Sequence, residues 1–445
     1  MANRRPITRS VTRAAVARVQ APAPGVPAAV HRLPLELVSM VMIELDGDKN
    51  TIRASGFVGR VWNQSSRDIL FRRVELGPTT IKCKRLTALL KKNPGLSTSI
   101  RTLEVYDSAV GHNTMLGASS PLPALLELLK DLVDVYISPY TASIKWDRVS
   151  LGLRQALLKT FALPTTCSVT FGDGVNLLAE FILGDMADHP KRLTLENVSI
   201  HPIGRLRAKR VHKLKGPVLE SLEIKHKTPF VGLVHLTSFW EKKCDTDRPF
   251  TRNLRLSLQE DEKNFLVNWE KIPEQFFNHI HRYDWVFSMY DLPPNVSAFK
   301  NLRIFHVTLN YWTGWSPEGH YRNRADEFSD PLKILAEDLR RASLNDLREF
   351  HLELGISMDN HVEVLGTVVS AHDWIGLDKA IGKATSTTLQ EVCIYLSDDF
   401  NNQPGRPPVQ VLEAISALKK KMPLAMNSGK LQVHINKMED IVRVI

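Results

Sequence analysis

The sequence predicts a chain of mixed class, α+β in organisation with α/β units through most of its length. A small N-terminal helical block is followed by an irregular strand-and-helix solenoid. Three observations predict this. Apolar residues at helical spacing, punctuated by helix breakers, are concentrated between residues 33 and 76. After residue 76 one short phrase recurs: apolar, two residues, apolar, one residue, apolar. Helix-like stretches separate its copies, as a repeat array requires.

Residues 1–30 are rich in Arg, Ala and Pro, and Ala21-Pro22-Ala23-Pro24-Gly25-Val26-Pro27 excludes a continuous helix. A disordered basic tail is expected. A mitochondrial presequence and a nuclear-targeting segment are the other readings of such an acid-free, Arg-rich stretch.

The spacing then predicts a helix from Pro34 to Leu45. Pro34 suits a first turn, where its missing N–H costs nothing, and Leu37, Val41 and Leu45 make one stripe that Val38 widens. Asp46-Gly47-Asp48 ends it. A second helix is expected over Ile52 to Trp62, carrying Ile52, Phe57, Val58, Val61 and Trp62, and a third from about Ser65 to Leu70. So short a block must share its apolar surface between its own core and a partner, which is the profile of a docking module.

The recurring phrase reads Ile100, Leu103, Val105; Leu219, Leu222, Ile224; Phe299, Leu302, Ile304; Leu347, Phe350, Leu352; and Leu389, Val392, Ile394. Partial copies stand at Leu193-Thr194-Leu195 and Leu254-Arg255-Leu256. Its last two positions alternate with period 2, as a short half-buried strand demands. Leu86–Lys92, Leu122–Leu132, Val175–Leu183, Pro331–Leu339 and Val411–Met422 are the intervening helix-like stretches. Each unit leaves an apolar face that only its neighbours can cover. An ordinary α/β domain with leucine-rich strands is the alternative.

Composition narrows the function classes. A 43% hydrophobic and 24% charged chain is that of a soluble globular protein. No apolar run approaches the roughly 18 to 20 residues that cross a bilayer, so no membrane partner is expected. Cys83, Cys167, Cys244 and Cys393 form no C-x-x-C pair, and the N-terminus lacks the apolar stretch of a secretory signal. Cytoplasm or nucleus is the expected location. Of the formal net charge of +10, six units come from Arg4, Arg5, Arg9, Arg13, Arg18 and Arg32. The body is only mildly basic, and no nucleic-acid partner is expected.

The block Leu33-Pro34-Leu35-Glu36-Leu37-Val38 with Val41 and Leu45, then Ile52-Arg53-Ala54-Ser55, then Phe57-Val58-Gly59-Arg60-Val61-Trp62, resembles an F-box. Leu70-Phe71-Arg72-Arg73-Val74-Glu75-Leu76 is similar to the segment that leads many fungal F-box proteins into their repeats. The match covers about 45 residues; the rest resembles leucine-rich-repeat F-box proteins in texture. The expected domains are thus a tail over 1–30, an F-box over 31–77 and a leucine-rich-repeat-like solenoid over 78–445.

The resemblance implies docking to a Skp-type adaptor, and through it to a cullin, within a ubiquitin ligase, while the solenoid binds a protein substrate. Adaptor contacts would fall on Leu33, Pro34, Leu37, Val38, Val41, Ile52, Val58, Val61 and Trp62, unless some of these form the module's own core. Gly56 and Gly59 stand inside the expected second helix, where each would cost roughly 0.5 to 1 kcal/mol relative to alanine. A repeat scaffold with a degenerate F-box and no ligase role is the rival reading.

No catalytic constellation competes. Phe171-Gly172-Asp173-Gly174 lacks the further glycine and lysine of a phosphate loop, and no H-E-x-x-H or G-x-S-x-G occurs. His279 and His281 have no third ligand nearby, so no metal and no cofactor are expected. A non-enzymatic role follows. Two substrate-facing candidates remain. One is the aromatic segment with Tyr311, Trp312 and Trp315; the other is the basic cluster with Arg205, Arg207 and Arg210, which also reads as a nuclear-localisation patch or a solvated face.

Overall fold

The computed structural model describes residues 33–107, 114–139, 144–186, 190–202, 219–225, 230–244, 249–257, 269–287, 296–312, 331–342, 344–357, 369–370, 372–384, 388–398 and 409–434. The chain is mixed α/β and divides into two compact units, one ending at Ser65 and one beginning at Ser66. That division falls inside the helix Arg60–Leu70. The expected tail over 1–30 lies outside the described residues.

The first unit opens with the helix Leu35–Glu44, whose first turn is closed by Val38 N–H donating to the Pro34 carbonyl at 3.1 Å. Gly47, at φ +112°, turns the chain. Asp48 then caps the helix Lys49–Ser55, accepting from the Asn50 and Thr51 amides at 3.1 Å each.

The expected second helix, Ile52 to Trp62, is broken. Gly56 is the C-cap of Lys49–Ser55, a turn follows through Phe57 and Val58, and the next helix starts at Arg60. Asn63 ties the break, its side-chain amide donating to the Gly56 carbonyl at 3.0 Å. Gly56 and Gly59 therefore lie between helices, and the helix-interior penalty does not apply to them.

Among the described residues of the second unit, twelve strands form one parallel sheet. In order these are β1 (Arg73–Leu76), β2 (Thr102–Asp107), β3 (Asp134–Pro139), β5 (Ser168–Phe171), β7 (Arg192–Glu196), β9 (Leu219–Lys225), β10 (Thr251–Ser257), β11 (Arg282–Phe287), β12 (Ile304–Trp312), β13 (Glu349–Ser357), β14 (Glu391–Asp398) and β15 (Leu431–His434). Short strands β4 (Ile144–Lys145), β6 (Val175–Leu178) and β8 (Ser199–His201) make a second parallel sheet. Parallel neighbours require crossovers, and helices such as Thr80–Lys92, Leu151–Phe161, Phe230–Lys243, Pro331–Arg341, Trp374–Ala384 and Val409–Lys421 stand among the connections.

Register puts the apolar phrase in columns. Leu103, Val135, Val169, Leu193, Leu222, Leu254, Tyr283, Phe305, Phe350 and Val392 align strand to strand. Two residues on, Val105, Ile137, Phe171, Leu195, Ile224, Leu256, Trp285, Val307, Leu352 and Ile394 form a second buried column. Both belong to one continuous apolar core running from Leu76 to Ala425.

One copy of the phrase is out of register. The strand uses Leu302, Phe305 and Val307, all fully buried, whereas Ile304 pairs with Arg282 and Glu349 and stays half-buried. Both registers satisfy the spacing; alignment with Tyr283 and Phe350 selects the second. Val175–Leu183 is helical only in its second half: its first four residues form β6, with Val175 and Leu177 buried and Asn176 and Leu178 half-buried, a period of two, and the chain turns helical from Ala179. Left-handed residues Gly174 (φ +73°) and Asn197 (φ +52°) make the turns before β6 and β8. Asn197 donates to the Asp173 carboxylate at 2.8 Å across them.

Candidate binding surfaces

The helix Leu35–Glu44 has apolar residues on more of its circumference than it buries. Val38 and Met42, four apart, are buried, while Leu35, Leu37, Met40, Val41 and Ile43 are exposed, as is Leu33 ahead of it. The turn between the next two helices adds Phe57 at 91% exposure and Val58 at 70%, with Val61 just beyond. Isolated exposed apolar residues are ordinary; this many in one small unit make a candidate interaction surface.

Of the nine expected contact residues, Leu33, Pro34, Leu37, Val41, Val58 and Val61 are exposed, Trp62 is half-buried, and Val38 and Ile52 are buried at 1% each. A surface open to a partner is carried by the first six, with Leu35, Met40, Ile43 and Phe57 added. Leu35, Met40 and Ile43 fall outside the expected contacts because a stripe at four-residue spacing accounts for one helix face only, and this helix is apolar on several; Phe57 was expected on a helix, and the turn exposes it.

The twelve-stranded sheet presents a different chemistry on the face opposite its apolar columns. The residue between the last two apolar positions of each phrase turns out to that face, giving Glu104, Tyr136, Thr170, Thr194, Glu223, Arg255, Asp284, His306, His351 and Cys393 in register. Glu104 accepts from Arg73 Nε at 2.6 Å and from the Tyr106 hydroxyl at 3.3 Å. Gly77 makes room there: a Cβ on it would stand 2.7 Å from Tyr106 Cβ. Burial, then the Glu104 charge, pushes the Tyr106 phenol up to about 12. Glu223 meets Thr194 Oγ1 at 3.2 Å, Lys225 Nζ at 3.3 Å and Arg255 Nε at 3.3 Å.

Further along, Arg282 Nε lies 3.0 Å from both Asp284 oxygens. His306 Nδ1 stands 3.6 Å from Asp284 Oδ1, and its Nε2 stands 3.6 Å from Glu353 Oε2. His351 Nε2 lies 3.1 Å from Glu349 Oε2, and its ring stacks on Tyr395, which in turn stacks on His434. Burial depresses the His351 pKa, with Glu349 opposing and His306 reinforcing the fall. Among the described residues, no group of three or more His, Cys, Asp or Glu side chains is placed to hold a metal.

Models of known protein families and curated proteins give this chain no match. The two surfaces therefore stand on their own geometry.

Arg205, Arg207, Arg210 and Trp315 lie outside the described residues. Tyr311 and Trp312 extend β12, their backbones pairing with Ile356 and Ser357. The polar ladder itself escaped the sequence reading, although a signal existed: Leu222-Glu223-Ile224, Leu254-Arg255-Leu256, Tyr283-Asp284-Trp285 and Phe305-His306-Val307 each set an ionisable residue between two core residues. No described helix is long and apolar enough to cross a membrane.

Proposed function

We propose that the chain is a non-catalytic substrate receptor of a Skp–cullin–F-box ubiquitin ligase. Its N-terminal helical unit is an F-box that docks a Skp-type adaptor, and its strand-and-helix region is a leucine-rich-repeat-like solenoid that holds a protein substrate. Such a receptor works by proximity, so no side chain need perform acid–base chemistry, and it would act in the cytoplasm or nucleus.

The observation that carries this reading is the exposed apolar set Leu33, Leu37, Met40, Val41 and Val58 on a unit that has already buried Val38, Met42 and Ile52. An amphipathic helix laying spare apolar residues into a partner groove is a recurrent recognition mode. The parallel sheet with strands in chain order supports the solenoid, because that order is what stacked strand-and-helix units generate. The rival scaffold reading drew on Gly56 and Gly59 as helix-weakening residues, and with both outside the helices it loses that support.

Pull-down of a Skp-type adaptor by the wild-type chain and by Leu33→Ala/Pro34→Ala tests the proposal. Retention by the wild type and loss by the double variant is expected. Equal retention by both counts against the docking surface.

A further inference from the structure

His306 occupies a position on the polar face that sets each of its ring nitrogens against a carboxylate. The side chain projects from β12 between β11 and β13 and is nearly buried, as are the two carboxylates it meets. Each ring nitrogen faces one of them: Nδ1 faces Asp284 of β11, and Nε2 faces Glu353 of β13, both at 3.6 Å. A neutral imidazole has one N–H and one lone pair, so one carboxylate would face a lone pair. Only the imidazolium has a donor for both sides.

We propose that His306 is held as an imidazolium that clamps β11 to β13 through β12, and that the clamp opens as pH rises, making the charge and rigidity of this face pH-dependent. With His306 protonated, the Asp284–His306–Glu353 set carries one net negative charge; without the proton it carries two.

The surroundings bias the clamp. From β11, Arg282 pairs with Asp284 and so competes for its charge. From β13, His351 stands with its ring centroid 6.2 Å away, and Glu349 engages that second imidazole rather than His306. On its own strand, the Thr308 hydroxyl lies 3.4 Å from Glu353 and 3.5 Å from His306 Nε2. Burial pulls His306 down, but Asp284 and Glu353 outweigh it and hold its pKa above the ordinary 6.5, whereas His351 is held below that value. The pKa values of two histidines on adjacent strands are thus shifted in opposite directions.

The stability consequence has a definite sign. A histidine whose pKa is raised by folding contributes fully below its unfolded pKa, and the contribution fades as pH rises through the folded value. The clamp is therefore closed below the ordinary histidine value of 6.5 and opens as pH rises through the raised folded value. It rests on strand geometry alone, so it holds whether or not the chain binds an adaptor.

Hydrogen–deuterium exchange at the imidazole C2 position, read peptide by peptide by mass spectrometry on the full chain, tests this directly. His306 should titrate above 6.5 and His351 below it, and Asp284→Asn or Glu353→Gln should each lower the His306 midpoint. Thermal unfolding of His306→Gln against wild type should show a deficit near pH 6 that shrinks by pH 8.5. A His306 midpoint at or below 6.5, or one unmoved by either carboxylate variant, overturns the proposal; the exchange measurement does so even if His306→Gln fails to fold.

Discussion

Leu37 and Val38 are consecutive in one helix, yet Leu37 is 46% exposed and Val38 is 1% exposed. Successive residues are turned by about 100° around a helix axis, so this step crosses from the packed face to the open one. The pair separates two roles that a sequence pattern merges: holding the module together and offering it to a partner.

Val38→Ala should destabilise the chain by about 2 kcal/mol, the loss of buried methyl groups plus the cavity they leave. Leu37→Ser should change stability by no more than about 0.5 kcal/mol, as expected of an exposed site. Thermal unfolding of the two variants beside wild type checks the contrast.

Asp378 is buried and accepts from the Leu424 amide at 2.8 Å and the Ala425 amide at 2.9 Å, tying the helix Trp374–Ala384 to the short helix Pro423–Asn427. Asp378→Ala leaves both amides without that acceptor and should cost about 2 to 3 kcal/mol. Asp378→Asn keeps one acceptor oxygen and should cost less. Chemical denaturation of the two variants measures the difference.

Tyr283 is fully buried, stacked between Phe299 at 4.8 Å and Phe305 at 5.7 Å, and its hydroxyl finds no hydrogen-bond partner among the described residues. Desolvation pushes its phenol well above the ordinary range. Removing an unsatisfied buried hydroxyl is close to neutral or stabilising, so Tyr283→Phe should leave Tm unchanged or raise it. A clear fall in Tm would show that the hydroxyl has a partner.

Asp338, on the helix Pro331–Arg341, is pushed up to about 6 by burial, against the pull of Arg341. A carboxylate with a raised folded pKa weakens the fold above that pKa, and the penalty disappears as pH falls below the unfolded value. Asp338→Asn should therefore stabilise the chain by on the order of 1 kcal/mol at pH 7.5 after solvent screening. It should give no gain near pH 4. Unfolding midpoints at the two pH values decide it.

Much of the fold was legible because period-2 apolar residues are visible in one strand at a time. Leu222 with Ile224, Phe350 with Leu352 and Val392 with Ile394 needed no neighbour to be read. What escaped depends on register between strands. Ile304 and Phe305 compete for the same role by spacing, and only alignment with Tyr283 and Phe350 decides between them. The Asp284–His306–Glu353 set spans residues 22 and 47 apart in sequence, so no local pattern joins it. The break at Gly56–Gly59 was hidden because Phe57, Val58 and Val61 continue an apolar pattern that suits a helix or an exposed turn equally well.

On the proposed function, the spare apolar residues of the N-terminal unit dock a Skp-type adaptor. Size-exclusion chromatography with light scattering, on the full chain mixed with purified adaptor, tests it most directly. A one-to-one complex is expected for wild type and none for Leu37→Asp/Val41→Asp, with the variant's Tm unchanged. Absence of a wild-type complex, or a complex that the double substitution leaves intact, would contradict it.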